Sequence, residues 1–215
     1  MLTKGQLKRN NIILFICIAI IIFVYPFMPK VSDFPLFKIL TISLIILSSI
    51  SALDFGRKTH LALKVAGFIT LLVFWSASLT KNQYYEIFSL LMIIFFMSYS
   101  LIIMVWHISR SRNIGTVIIL NAVNSYLLIG IIGAMMFAVS EIFFPGGLKM
   151  GGLPIDTLRS YLYFSFVTMT TLGYGDISPV SSFTQVLAVF LSLAGQLYLA
   201  IIMAMLIGKF LSRES

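Results

Sequence analysis

Residues 170–176 read Thr-Thr-Leu-Gly-Tyr-Gly-Asp, and the spacing of the two glycines gives this backbone a specific chemical capacity. A dehydrated potassium ion needs a cage of oxygen atoms, and consecutive backbone carbonyls can supply one where four loops surround one axis. For successive carbonyls to point the same way, alternate residues must have positive φ, which costs little only at glycine. We therefore expect positive φ at Gly173 and Gly175.

The predicted ligands of the potassium ion are four backbone carbonyls, with the Thr171 hydroxyl as an additional inner ring. They belong to Thr171, Leu172, Gly173 and Tyr174, supported by Thr170, Gly175 and Asp176. The alternative is an ordinary turn. A membrane chain rarely tolerates irregular backbone at depth unless it lines a water-filled path, which favours the ion-binding interpretation.

The elements that must position this loop are membrane helices, because 60% of the 215 residues are hydrophobic and only 10% are charged. Six apolar segments are long enough to cross a bilayer: 12–28, 36–53, 61–79, 85–106, 118–144 and 182–210. The segment 156–169 is too short and suits a re-entrant helix. The predicted fold is an all-α membrane protein with six transmembrane helices, a re-entrant pore helix and a filter loop.

The positive charges cluster at the ends of these segments and predict the topology. With both termini cytoplasmic, ten basic residues lie inside: Lys4, Lys8, Arg9, Arg57, Lys58, Lys64, Arg110, Arg112, Lys209 and Arg213. Five lie outside: Lys30, Lys38, Lys81, Lys149 and Arg159. This bias predicts a multi-pass protein of the cell membrane with the filter loop on the outer side. It also explains the excess of positive charge without a nucleic-acid partner.

The heptapeptide, the preceding Tyr161-Leu-Tyr-Phe-Ser-Phe-Val-Thr-Met and the following Ile177-Ser-Pro179 together resemble the potassium-channel family. The resemblance covers roughly residues 115 to 211, with Leu172 where the common form has Val or Ile. It is closest to bacterial-type six-transmembrane subunits with one pore domain. Because the filter sequence occurs once and a pore needs four loops, a homotetramer is expected.

By this resemblance, Tyr163 and Phe164 occupy positions where the family has aromatic residues around the filter. We expect them to pack around Tyr174, and we expect Asp176 to accept a hydrogen bond from the Tyr163 hydroxyl. A carboxylate at this mouth would also concentrate cations.

Four further predictions concern the segments around the filter. Asp156 is the expected N-cap of the pore helix, and the small residues Gly130 and Gly133 are expected to pack against the innermost helix. Glu141 is expected either to bond backbone near the start of the last helix or to remain solvated. The glycine- and proline-rich segment 145–154 is expected to be a flexible, turn-rich loop.

The last helix is expected to line the pore. Gly195 lies nineteen residues after Asp176 and matches, by resemblance, a glycine at which this helix bends; close helix packing is the alternative. Side chains at three- and four-residue steps share one face. We place two of them, Gln196 and Leu199, along the cavity and two, Met203 and Ile207, at the inner constriction, although a lipid-facing position is open for each.

The expected domains are a four-helix unit at 1–107, an interfacial linker at 108–117, formed by a short helix or a simple turn, and a pore domain at 118–215. The segment Tyr84–Trp106 contains no Lys or Arg, so no voltage-sensing arginine ladder is expected. No cytoplasmic ligand-binding domain is expected after the last helix. The four helices could form a scaffold, a lipid- or tension-sensing unit, or a docking surface for an unknown regulatory partner.

The predicted function is passive, potassium-selective conduction through a homotetrameric pore in contact with membrane lipids. A weakly selective cation channel and a non-conducting sensor subunit are the alternatives. No enzyme activity is predicted, because the sequence has no paired carboxylates and no nucleophile with a base. No cofactor is predicted other than potassium ions in the filter.

Overall fold

The computed structural model describes residues 3–27, 35–53, 57–80, 82–111, 114–155 and 157–211. Within these ranges the chain forms seven α-helices and three short strands. In chain order they are α1 Lys4–Ala19, α2 Pro35–Ala52, α3 Arg57–Leu79, α4 Gln83–Arg110, α5 Thr116–Phe143, β1 Leu148–Met150, β2 Leu153–Pro154, α6 Leu158–Met169, β3 Ile177–Pro179 and α7 Ser182–Leu211. A π-helical turn, Ile20–Val24, and a 3-10 turn, Tyr25–Phe27, extend α1.

Among the described residues, five helical segments are long and apolar enough to cross a membrane. They are Gly5–Phe27, Leu61–Leu79, Gln83–Arg110, Thr116–Phe143 and Ser182–Leu211. The remaining predicted span corresponds to α2, whose described apolar part, Ile39–Ala52, is shorter. The chain is thus a mostly helical, multi-pass membrane protein, and a sixth span stays a prediction.

The chain forms two compact units whose boundaries differ from the expected domains. One unit comprises Met1–Ser125 with Gly208–Ser215, and the other comprises Tyr126–Ile207. The boundary therefore falls inside α5. The predicted linker also differs, because Ile108 still belongs to α4 and α5 begins at Thr116. The connection between the two helices is therefore shorter than the expected linker, and its interfacial character stays a prediction; Arg112 and Asn113 lie outside the described residues.

Buried amides tie the helices of the first unit together. Asn11 of α1 is fully buried and donates from Nδ2 to the carbonyl oxygen of Ala52 in α2 at 2.9 Å. Asn124 of α5, also fully buried, donates to the carbonyl oxygen of Asn11 at 3.0 Å. Such bonds hold apolar helices in register where lipid provides little drive for association.

The segment 145–154, which was expected to be a turn-rich loop, contains a β-hairpin. Gly151 and Gly152, with φ of 56° and 84°, make the two-residue turn between β1 and β2. Strand β1 also pairs antiparallel with β3, placing Met150 opposite Ile177 and Leu148 opposite Pro179. Because β3 directly follows the filter loop, the sheet anchors the loop at its downstream end.

Candidate functional site

Helix α6 delivers the chain to the filter loop. It begins one residue later than predicted, with Thr157 as N-cap accepting from the Ser160 N–H at 3.2 Å; Asp156 lies outside the described residues. At the other end the loop folds back on the helix. The amides of Leu172 and Gly173 both donate to the Val167 carbonyl, at 3.0 and 3.3 Å. The loop's amides are thus turned toward the helix.

The loop backbone alternates in conformation. Gly173 and Gly175 have φ of 55° and 77°, which confirms the expectation for both. Thr171 also has positive φ, at 59°, and this was missed because the rule applied to the sequence admits only glycine. A β-branched residue in this region is a true outlier and costs about 1–2 kcal/mol. Strain of this kind concentrates at functional sites.

The carbonyl oxygens of the loop are the chemically distinctive feature of the site. Within the described residues, no donor bonds the carbonyls of the four residues from Thr171 to Tyr174. All four residues are exposed in the single chain, so their carbonyls form a row of acceptors that are open to water or to a cation. The Thr171 hydroxyl donates to the Thr170 carbonyl at 2.6 Å. Its hydrogen is thereby occupied, which leaves oxygen lone pairs to face a cation.

The expected hydrogen bond between Tyr163 and Asp176 is present. Its hydroxyl donates to Asp176 Oδ2 at 2.7 Å, while Asp176 Oδ1 accepts from the Ile177 N–H at 3.0 Å. The hydrogen bond to Asp176 raises the pKa of Tyr163 to about 12. Desolvation and the charge of the carboxylate contribute less to this rise. Asp176 therefore joins α6, the end of the filter and β3.

Phe164 packs against α5. It is buried and meets Phe137 of α5 edge to face, with ring centroids 4.8 Å apart. It therefore fastens α6 to α5. Its predicted packing around Tyr174, whose side chain is 67% exposed in the single chain, stays a prediction.

Glu141 bonds backbone, but in the hairpin segment and not at the start of the last helix. Its Oε2 accepts from the Gly146 N–H at 2.8 Å and its Oε1 from the Leu148 N–H at 2.6 Å. The carboxylate thus fixes the chain where it leaves α5 and enters β1. The expected backbone bonding of Glu141 is therefore present, and its donors belong to a segment that itself bonds the chain just before α7, where the Val180 N–H donates to the Gly147 carbonyl at 2.7 Å.

The small-residue patch of α5 receives the pore helix as well as the inner helix. A Cβ at Gly130 would lie 2.5 Å from the Phe166 ring of α6, and one at Gly133 would lie 2.6 Å from Ser165 Oγ and 2.7 Å from Leu191 of α7. Ser165 is fully buried and donates to the Gly130 carbonyl at 2.6 Å. The expected packing of the inner helix is therefore present at Gly133, and the pore helix packs against the same patch.

Gly195 has a close-packing role. It is buried in α7, and a Cβ there would lie 2.5 Å from the backbone carbonyl oxygen of Met169, the last residue of α6. Helix α7 runs through this position without a break, so bending at Gly195 stays untested. The predicted cavity and constriction residues are all exposed in the single chain, and their places stay predictions: Gln196, Leu199, Met203 and Ile207.

Comparison with known proteins places this geometry in context. Residues 125–212 match a family model described as an ion channel. No curated protein and no solved structure matches the chain. The matched segment contains the loop with its free carbonyls, the helix that supports it and α7, so the similarity supports an ion-channel family and passive ion conduction for this part of the chain.

Proposed function

We propose that the chain is one subunit of a homotetrameric, potassium-selective channel. The observation that carries the proposal is the row of free carbonyls from Thr171 to Tyr174, combined with positive φ at every second residue. Rings of such carbonyls replace the hydration shell of potassium in selectivity filters. The Thr171 hydroxyl would add an inner ring, and Asp176 would draw cations to the mouth.

Four copies are needed because one chain supplies one loop. The exposure of the site supports this arrangement: the side chain of Leu172 is 55% exposed and that of Val186 on α7 is 69% exposed. Neighbouring subunits would cover these apolar groups. The positive-inside bias puts both termini in the cytoplasm and the filter at the outer surface of the cell membrane.

Conduction by this proposal is not controlled by a charge ladder. Helix α4 has no Lys or Arg between Gln83 and His107, so it carries little charge for a membrane field to move. No catalytic chemistry and no cofactor other than potassium are part of the proposal.

Weak selectivity among cations is the second candidate, and Leu172 is the residue that favours it. A leucine is branched one atom farther from the backbone than Val or Ile, so it packs differently behind the carbonyls. A non-conducting subunit is less well supported, because such a protein has no need of the strain at Thr171.

The experiment is a potassium flux assay on protein purified into liposomes. We expect flux that barium blocks and that sodium does not replace. Gly173→Ala should abolish it, because alanine disfavours the φ of 55° at this position. Gly152→Ala is the matched control: it places the same strain, at φ of 84°, in the hairpin turn, and should preserve flux. No flux from the wild type would refute the proposal.

A further inference from the structure

The carboxyl-terminal turn of α4 is capped by a side chain from α7. The last carbonyls of any α-helix lack intrahelical partners. In α4 the His107 carbonyl accepts from the Ser111 N–H at 3.0 Å. The next two accept from Lys209: Nζ donates to the carbonyl of Ser109 at 2.8 Å and to that of Ile108. One ammonium group therefore caps two of the last four carbonyls of α4.

The chemistry of this contact favours a cation. The carboxyl end of a helix carries a partial negative charge, and an ammonium offers three donors to carbonyl oxygens. Ile108 is fully buried and Lys209 is partly buried, whereas Ser109 is exposed. Water therefore competes less for the bond to the Ile108 carbonyl than for the bond to the Ser109 carbonyl. A neutral side chain could replace part of the hydrogen bonding but not the charge.

The same turn of α4 is also bonded to α5. Asn121, which is buried, lies with Nδ2 2.9 Å from His107 Nδ1. Polar side chains thus join the end of α4 both to α5, through Asn121, and to α7, through Lys209.

We propose that Lys209 is a positioning residue that couples the end of α7 to α4 and thereby sets the equilibrium between open and closed pores. The proposal rests on the proposed function, in which α7 lines the pore and Ile207, two residues before Lys209, forms the inner constriction. Moving that end of α7 requires either breaking the bond or moving α4 with it. The four-helix unit thus regulates the pore through a mechanical tie and without a voltage-sensing ladder.

The test is single-channel recording from wild type, Lys209→Gln and Lys209→Arg in planar bilayers. The interaction free energy between a charge and a helix end in a partly buried site corresponds to about a five- to thirtyfold change in an equilibrium constant. We expect Lys209→Gln to change the open-to-closed ratio by that factor, with unchanged conductance and reversal potential. Lys209→Arg retains the cation and should stay within about twofold of wild type. Lys149→Gln removes the same charge from β1 and should leave the ratio unchanged.

Each result decides the matter. Selective currents with an unaltered open-to-closed ratio in Lys209→Gln overturn the coupling and leave the channel proposal intact. The same conclusion follows if Lys209→Arg changes the ratio as much as Lys209→Gln does. Absence of potassium current in the wild type overturns both. If Lys209→Gln does not assemble alone, tetramers with one variant and three wild-type subunits provide the same comparison.

Discussion

Substitution of Gly195 by alanine tests whether the contact between α7 and the end of α6 supports the filter. In α7 this glycine lies against the end of α6, where a Cβ would be 2.5 Å from both the carbonyl oxygen and Cγ of Met169. The Met169 side chain can move aside because it is flexible. Its carbonyl oxygen can move only with the backbone that continues into Thr170 and Thr171.

Two opposing terms set the expected effect on stability. Overpacking a filled site costs about 1–3 kcal/mol, while alanine gains about 1 kcal/mol over glycine inside a helix. The net destabilisation should therefore be about 1 kcal/mol and at most about 2 kcal/mol. Potassium flux should fall strongly even though the loss of stability is small, because the displaced backbone is the start of the filter.

The assay pairs thermal unfolding of the assembled protein with potassium flux. Gly208→Ala is the matched control, since it lies in the same helix and a Cβ there would meet nothing within 4 Å; it should gain up to about 1 kcal/mol. Wild-type stability and flux in Gly195→Ala would refute the packing argument. A change in open probability alone, with stability and selectivity intact, would instead assign Gly195 to a hinge.

Two further predictions concern hydrogen bonds near the filter, those of Glu141 and Tyr163. Glu141→Ala should destabilise the protein by about 1–3 kcal/mol, because two amides lose a charged acceptor. Glu141→Gln should destabilise it by less. Thermal unfolding measures both effects, and equal stability of the wild type and the two variants would exclude a role for these bonds. The Tyr163 hydroxyl holds its proton more tightly in the folded protein, so its stabilising bond should be complete below about pH 10 and lost as pH rises toward about 12. The stability difference between wild type and Tyr163→Phe should therefore shrink over that range, and a difference independent of pH would contradict this.

The sequence predicted the local geometry of the filter because the controlling interactions are short in range. The positive φ of Gly173 and Gly175 follows from residue type, and the Tyr163 to Asp176 bond joins the pore helix to the loop that follows it. Thr171 was missed because backbone preference favours positive φ only at glycine.

Contacts between distant segments were harder to predict. The Gly151-Gly152 pair between two short apolar stretches was a hairpin signal, but nothing in the sequence pairs β1 with β3. Likewise, the position of Lys209 near a segment end was explained by topology alone, and its bond to α4 spans a hundred residues of sequence. The faces of α7 could not be assigned, since in the proposed tetramer the groups that would cover them belong to other subunits.

The most direct test of the central claim is the reversal potential of single channels with potassium on one side and sodium on the other. A filter built from the carbonyls of Thr171 to Tyr174 predicts a reversal potential far from zero, in the direction set by the potassium gradient. A value near zero would contradict potassium selectivity. It would favour the weakly selective cation channel, for which Leu172 is the candidate cause.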